Sequence, residues 1–465
     1  MAKKPKIDIK ELNQKYKSIN INKFYNEDYA DFAIYRALQR IPNLVDGFAQ
    51  TQRKTIYACV ELNQTKKINV SDLASDVKKF TKYHHGINSI ETTITNLVPP
   101  YNNQVPLLKE DGTYGCRSER EASASRYIET RLQDYTKILF NDIDNTEFVV
   151  EQFTEGKKIE PLTMIPLLPL LLINGQSQIG VGYACDVLPR DVNKVIKVIE
   201  DILKGKSKTI PSDIPPIAPR FNGTITKDGS RYYYKGLYHF DKKKLVITEV
   251  PPKYTRTSYI KILESLKDKN KIKNYDENIV SDDFEITITF NSDVDITKLE
   301  DSKILNMFNL VETQSENLTV INTKNEIKRY ESIAEILYEY IVFILGVIKK
   351  RKEFILKTLE NNAIKNKEKI RFITLFNDDK IILKNKSNEE ITKELEQLEF
   401  VKFDDCYDYL LNMRISNLTL KKIEELNDII KSEQKEIDEL KDKTAANLWL
   451  EDIQKIKKQL KGIIK

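Results

Sequence analysis

The run Ala122-Ser123-Ala124-Ser125-Arg126-Tyr127-Ile128-Glu129 sets a guanidinium directly beside a phenol. A phenol ionises with a pKa of about 10, so at neutral pH only roughly one in a thousand is the oxyanion that attacks an electrophile. Cationic neighbours make Tyr127 a candidate nucleophile. Arg126 can lower that pKa and hold an anionic oxygen, and an imidazole can take a proton. Earlier in the chain, two of only three histidines stand together at His84 and His85, inside Tyr83-His84-His85-Gly86. An isolated Arg-Tyr pair among 23 tyrosines is ordinarily a packed ring beside a solvated cation, and it is the company of further motifs that singles this one out.

The chain of 465 residues is too long for one core and implies three or four structural units. Its formal charge of +5 is small beside 75 Lys and Arg and 70 Asp and Glu, so composition alone does not establish nucleic-acid binding. Lys3, Lys4 and Lys6 mark a basic N-terminal arm over residues 1–21, and Lys349, Lys350, Arg351 and Lys352 form a second run. Charge runs of this kind are usually solvated faces. Cys59, Cys116, Cys185 and Cys406 are far apart, with neither zinc spacing nor a disulfide framework, as expected of a reducing compartment. The longest apolar run, 340–348, is far short of the roughly 20 residues that span a bilayer, and the lysine-rich N-terminus carries no apolar leader. The expectation is a soluble intracellular protein.

Proline and glycine divide the chain. All 15 prolines lie at or before Pro252, and beyond Gly236 only Gly346 and Gly462 remain. The N-terminal half therefore turns often, and the C-terminal half is expected to hold long helices. Short helical patterns cover 29–38 and 53–61, the second carrying Arg53 and Lys54 in its first turn. Strand signals follow: Leu245-Val246-Ile247-Thr248 is rich in β-branched residues, and Phe284-Glu285-Ile286-Thr287-Ile288-Thr289-Phe290 alternates with period two. Residues 211–219 read as a proline-rich surface loop. Ile333, Leu337, Tyr340, Ile344 and Val347 step along one helix face, and Ile423, Leu426, Ile430, Ile437 and Leu440 do so again, with Glu433 interrupting the seam. Two such helices around a mixed segment fit an antiparallel coiled coil with a small domain at its tip or an ordinary helical bundle; periodicity leaves both open.

Other motifs fall in order around the Arg126-Tyr127 block. They are Arg40-Ile41-Pro42-Asn43-Leu44-Val45-Asp46-Gly47-Phe48 with Gln52-Arg53-Lys54; the Tyr83 run with Asn88-Ser89; Pro106-Leu107-Leu108 with Asp111-Gly112-Thr113-Tyr114-Gly115; Asn174-Gly175-Gln176-Ser177-Gln178-Ile179-Gly180-Val181-Gly182-Tyr183-Ala184; Ile247-Thr248-Glu249-Val250-Pro251; and Met413-Arg414-Ile415-Ser416-Asn417-Leu418-Thr419. Any one is weak. Together, in register over most of the chain, they resemble the breakage-reunion subunit of type IIA DNA topoisomerases. That is the family of the gyrase A subunit, the C-terminal part of topoisomerase II and, above all, the medium subunit of T-even phage topoisomerase. The resemblance implies a multidomain α+β chain. A winged-helix DNA-gate domain with the catalytic tyrosine would cover 22–155, and a mixed α/β tower domain 156–330. A long antiparallel coiled coil would cover 331–465, with a helical C-gate dimerisation domain at about 362–418.

The resemblance also implies roles. Tyr127 would attack a DNA phosphorus in line, leaving a 5′-phosphotyrosyl link and a free 3′-hydroxyl, with Arg126, His85, His84 and Arg53 around the scissile phosphate. Lys54, Arg40, Gln52 and Ser89 would contact DNA. Ile179, in a glycine-rich string where backbone can approach a ligand closely, would wedge between base pairs. By itself Ile179 reads as a core isoleucine beside a turn, and His84-His85 as a helix cap or a metal pair with no third ligand nearby in sequence. Two copies would form a homodimeric gate, each cutting one strand of double-stranded DNA. The family needs Mg²⁺ held by a TOPRIM domain and ATP for strand passage. No Gly-rich phosphate loop occurs here, and Asp142-Ile143-Asp144 and Asp293-Val294-Asp295 read as surface acids. Mg²⁺ and ATP are therefore expected on a TOPRIM/ATPase partner, in the host cytoplasm if the chain is phage-encoded.

Two departures bear on phosphate grip. Ala49-Gln50 stand where the family has Lys-Pro, and Gln39 stands where it has an arginine, with Arg40 one place later. Weaker DNA affinity, or a compensating residue elsewhere, is the expectation. The chain ends at Lys465 without the DNA-wrapping domain of gyrase, so relaxation and decatenation are expected rather than negative supercoiling. The alternative is a non-catalytic, coiled-coil DNA-binding structural protein that retains the fold.

Overall fold

A computed structural model of the chain describes residues 20–140, 149–291, 300–382 and 386–462. The cluster Lys3, Lys4 and Lys6 and both Asp-x-Asp strings lie outside the described residues. The chain divides into two compact units, residues 1–343 with 452–465, and residues 344–451.

In the first unit, helices Gln50–Glu61, Val70–Phe80 and Ile87–Leu97 pack on one another. Val70, Leu73, Ala74 and Val77 of one, and Ile90, Ile94 and Leu97 of the next, recur at helical steps and are all buried. Strands Ile68–Asn69, Glu129–Leu132 and Leu108–Asp111 form a three-stranded antiparallel sheet in that order. The helix read at 29–38 spans Ala30–Arg40. Helix Gln50–Glu61 starts earlier than its apolar pattern suggests. Gln52 turns back to accept a hydrogen bond from the Ala49 amide at 3.0 Å, satisfying a donor at the helix start. Arg53 and Lys54 are therefore not on an open first turn: each is 5 % exposed.

Farther along, Leu237–Asp241, Lys244–Glu249, Asp283–Thr289 and Asn274–Val280 make a four-stranded antiparallel sheet in that order. Phe284, Ile286 and Ile288 from the period-two run enter a core with Leu245 and Ile247, covered by Tyr259 and Leu263 of helix Arg256–Asp268, while Glu285 stays exposed. A second sheet runs Val311–Ser315, Arg231–Lys235, Thr224–Asp228. One ion pair ties this region to the loop that leads to Tyr127. Buried Arg117 donates to the Glu249 carboxylate and the Val250 carbonyl, and its guanidinium lies over the Phe221 and Phe284 rings, 5.4 and 5.1 Å from their centroids. Glu249 also accepts from the amides of Asn222 (2.8 Å) and Val250 (2.9 Å), so both its oxygens are occupied.

In the second unit, the later part of helix Ile333–Asn377 pairs with helix Leu420–Asp442. Lys352 reaches the Lys441 and Lys443 carbonyls (3.0 and 2.5 Å), Lys441 reaches Glu360 (2.8 Å), and Asn366 reaches Glu433 (3.3 Å). Partner numbers fall as the first helix advances, so the two run antiparallel. Glu433, the interruption in the apolar seam, is half-buried with a polar partner opposite it. The run 349–352 is not a uniformly solvated face. Lys349 and Lys350 are exposed, but Arg351 is buried, and the Lys352 ammonium satisfies carbonyls left open at a helix C-terminus. Phe372, Leu395, Phe400, Leu410 and Leu426 form part of a separate core that includes helix Asn388–Gln397.

Removing one partner of a buried ion pair leaves the other charge uncompensated, which typically costs about 3–5 kcal/mol. Glu249→Ala is expected to destabilise the first unit by that amount, read as a lower urea midpoint by circular dichroism. A loss under about 0.5 kcal/mol, the range of an ordinary surface change, would mean that this pair does not hold the loop.

Candidate active site

Tyr127 ends a tight turn, and glycine lets the chain reach it. Gly112 and Gly115 have φ of +97° and +84°, and a Cβ would come 3.0 Å from the Ile128 side chain at the first and 2.7 Å from the Glu119 carbonyl oxygen at the second. The Tyr127 amide bonds the Ala124 carbonyl at 2.8 Å. Helix Val70–Phe80 begins on this turn, its Val70 and Ser71 amides donating to the carbonyls of Ile128 (3.0 Å) and Ser125 (3.3 Å). The Ser125 hydroxyl donates to Glu91 of helix Ile87–Leu97 at 2.8 Å. Ile128 is 1 % exposed and Tyr127 70 %: burying the one projects the other. The Arg126 guanidinium lies 4.7 Å from the centre of the Tyr127 ring.

His84 and His85 are exposed on the connection between the same two helices. The His85 ring meets the Tyr83 ring at 5.3 Å, edge to face, and the Tyr83 hydroxyl bonds the Ser89 hydroxyl at 3.1 Å. Glu91 lies little more than one helical turn past Gly86, so its bond to Ser125 brings the Arg126-Tyr127 turn to the histidine end of helix Ile87–Leu97.

Ile179 is 82 % exposed at the tip of a hairpin, Gln176–Ile179 paired with Ala184–Val187. It is not a core isoleucine. Gln52 accepts from Gln176 at 3.1 Å, which links the hairpin to helix Gln50–Glu61. A Cβ on Gly180 would lie 3.5 Å from the Ala37 Cα, so the tip lies against the helix that ends in exposed Arg40.

Arg53 and Lys54 do not join this exposed group. Arg53 donates through Nε to Asp46 Oδ2 at 2.5 Å and through Nη2 to Asp46 Oδ1 (3.1 Å) and the Phe48 carbonyl (2.9 Å). Lys54 donates to Glu160 at 2.7 Å and to the Thr81 carbonyl, just ahead of the histidines, at 3.0 Å. Both cations face inward because fully buried carboxylates require them there. Burial pushes the Glu160 carboxyl above its usual range, against the opposing pull of Lys54. Sequence reasoning missed Glu160, which carries no local signal, and Lys78, Lys79 and Lys82, which line a shallow cleft with His84 and adjoin the Tyr83 motif. Among the described residues no helix is long and apolar enough to cross a membrane.

Arg53→Ala strands the Asp46 carboxylate and is expected to cost about 3–5 kcal/mol in urea unfolding; a DNA contact alone would leave stability within about 0.5 kcal/mol. A second expectation concerns pH. A carboxyl whose folded pKa is raised contributes stability that is complete below its unfolded value of 4.5 and is lost as pH rises through the folded value. Glu160→Gln cannot titrate, so its urea midpoint should fall less steeply than that of the wild type above pH 4.5. Parallel profiles would remove Glu160 as the cause.

The family model for the A subunit of DNA gyrase and topoisomerase IV matches residues 39–455. The DNA topoisomerase medium subunit of Enterobacteria phage T4 is 30 % identical over 92 % of this chain and 96 % of its own length. The mitochondrial DNA topoisomerase 2 of Dictyostelium discoideum is 28 % identical over 97 % of this chain but 36 % of its own, so the chain spans about a third of that relative. The crystal structure of the Plasmodium falciparum topoisomerase II DNA-binding, cleavage and re-ligation domain aligns with a TM-score of 0.84 at 28 % identity, over 95 % of this chain and 64 % of that one. The mixed α+β fold is thus the fold of that solved domain. With the family matched across most of the chain and the phage protein matched nearly end to end, this chain belongs to the family of the DNA gyrase and topoisomerase IV A subunits.

Proposed function

We propose that this chain is the DNA cleavage and religation subunit of an ATP-dependent type IIA topoisomerase. It opens a transient double-strand break through 5′-phosphotyrosyl links, a second duplex passes, and the break is resealed, giving relaxation and decatenation. The observation that carries this reading is a tyrosine 70 % exposed beside an arginine, on a turn bonded to the two helices that flank His84 and His85. Family membership and the likeness to a topoisomerase II cleavage domain support it.

The Tyr127 phenolic oxygen forms a bond to phosphorus as the P–O3′ bond breaks. The phenol proton passes to an imidazole of the His84-His85 pair, and the departing 3′ oxygen takes up a proton to leave as a hydroxyl. One phosphodiester replaces another, so resealing is the same step reversed and needs no water. Arg126 neutralises charge building on the non-bridging oxygens. Ser89 holds the Tyr83 hydroxyl beside His85, while Arg53 and Lys54 act from inside, fixing the loop at Asp46 and the Thr81 carbonyl. Gln52 supports the hairpin whose Ile179 inserts between base pairs, and exposed Arg40 contacts the DNA. Unstacking costs roughly a few kcal/mol and is offset by the contacts a bent duplex makes. Among the described residues no three His, Cys, Asp or Glu side chains gather to hold a metal ion. Mg²⁺ and ATP are assigned to a TOPRIM/ATPase partner, as the family resemblance implies.

The architecture follows. Residues 22–155 are the winged-helix domain, supported by three packed helices with a three-stranded sheet, and 156–330 are the tower, supported by two sheets and a covering helix. Residues 331–465 are the coiled coil, supported by the antiparallel helix pair, with the dimerising C-gate domain near 362–418. Two copies form the gate in the host cytoplasm, encoded by a phage. The inward-facing Arg53 and Lys54 favour one rival reading, a non-catalytic DNA-binding structural protein of the same fold.

Covalent trapping decides between them. The chain is mixed with its partner, Mg²⁺ and supercoiled DNA, and the mixture is quenched with detergent. Wild type is expected to remain attached to 5′ ends, Tyr127→Phe to leave no adduct, and Arg126→Ala to form it about 10²- to 10³-fold more slowly. An adduct from the Phe variant would place the nucleophile elsewhere. Wild-type DNA binding without any adduct would favour the structural protein.

A further inference from the structure

We propose that Lys78, Lys79 and Lys82 form a further phosphate-binding site that holds the backbone of the same duplex. The proposal rests on the topoisomerase reading and extends it to lysines that none of the family motifs includes. These side chains line one shallow cleft with Tyr83. Lys78 and Lys79 are exposed in the last turn of helix Val70–Phe80. The one carboxylate in the lining, Glu155, is 3.5 Å from Lys82, so cations outnumber anions and the cleft suits a polyanion.

The backbone at Lys82 is the second observation. Its φ is +51°, left-handed, directly after the C-cap of helix Val70–Phe80. Helices that end this way commonly place glycine or asparagine there, because a Cβ is disfavoured in that conformation. The solvent-screened pair with Glu155 is too weak a gain to account for a lysine. A charge presented outward accounts for it. Position supports the same use. The helix starts on the Tyr127 turn through Val70 and Ser71, and Lys78 and Lys79 lie eight and nine residues past Val70, about 12 Å along the axis at about 1.5 Å per residue. With Arg53 and Lys54 turned inward, these lysines supply cationic grip that the Ala49 region lacks.

Binding of the full chain to a duplex of about 30 base pairs, followed by fluorescence anisotropy over a range of salt, tests this through the slope of log affinity against log salt, which changes by about 0.9 for each phosphate no longer neutralised. The triple variant Lys78→Gln, Lys79→Gln, Lys82→Gly is expected to have a slope shallower by about 2 to 3. Lys82→Gly alone should weaken binding without lowering the thermal midpoint, since glycine is at ease in that conformation, and Glu155→Gln should tighten binding. The remote pair Lys393→Gln, Lys421→Gln should keep the wild-type slope. A wild-type slope in the triple variant overturns the proposal while leaving the topoisomerase reading intact, as does an equal change in the remote pair. A loss of thermal midpoint in Lys82→Gly with unchanged binding also overturns it, because lysine would then be structural. Wild-type protein that binds no duplex at any salt removes both readings.

Discussion

Four donors converge on the carboxylate of Asp46, which has no access to solvent: the amides of Phe48 and Met164 and two guanidinium nitrogens of Arg53. A carboxylate in that position is tolerated only when its charge is matched and its lone pairs are filled. Meeting both conditions ties the loop before helix Gln50–Glu61, the helix itself and the segment at Met164 to one point. Gly47, at φ +72°, permits the close passage this requires, since a Cβ there would lie 2.5 Å from the Leu171 amide nitrogen. The same loop exchanges backbone hydrogen bonds with a strand far along the chain, Leu44 N to Ile321 O at 2.8 Å and Ile321 N to Pro42 O at 2.9 Å.

Around this frame the cations divide into two populations with different work. Arg53, Lys54 and Arg117 are buried against Asp46, Glu160 and Glu249, and each also donates to a backbone carbonyl, those of Phe48, Thr81 and Val250. Their pairs fix the loops that precede the motif helix, the histidines and Tyr127. Arg126, His84 and His85 sit on the outer side of those loops and remain exposed. This arrangement keeps the exposed side chains in water-accessible positions while their backbone is held by ion pairs that water cannot screen.

The second unit uses polar groups within an apolar seam in a related way. Asn366 and Glu433 meet where the repeat in helix Leu420–Asp442 lapses, and Lys352 closes the end of that helix by binding its carbonyls. Such contacts add little energy individually. They do set which residues of the two helices stand opposite one another, the use for which a polar group at a helix seam is best attested.

The chain's local patterns determined a good deal without help. The alternation from Phe284 to Phe290 specified a strand and its buried face, and the stepping of Ile333, Leu337 and Tyr340 specified a buried helix face. Each of these is encoded within a few residues, because helix and strand periods and adjacent side chains are properties of short segments. The direction in which Arg53 and Lys54 face was not legible. A cation near a helix start reads the same whether it meets solvent or a buried acid, and the acid that decides the matter for Lys54, Glu160, is 106 residues away. The exposure of Ile179, the grip of Glu249 on the loop before Tyr127 and the cleft around Lys82 have the same origin. They arise where segments distant in sequence pack together, and only the tertiary structure brings such segments into contact.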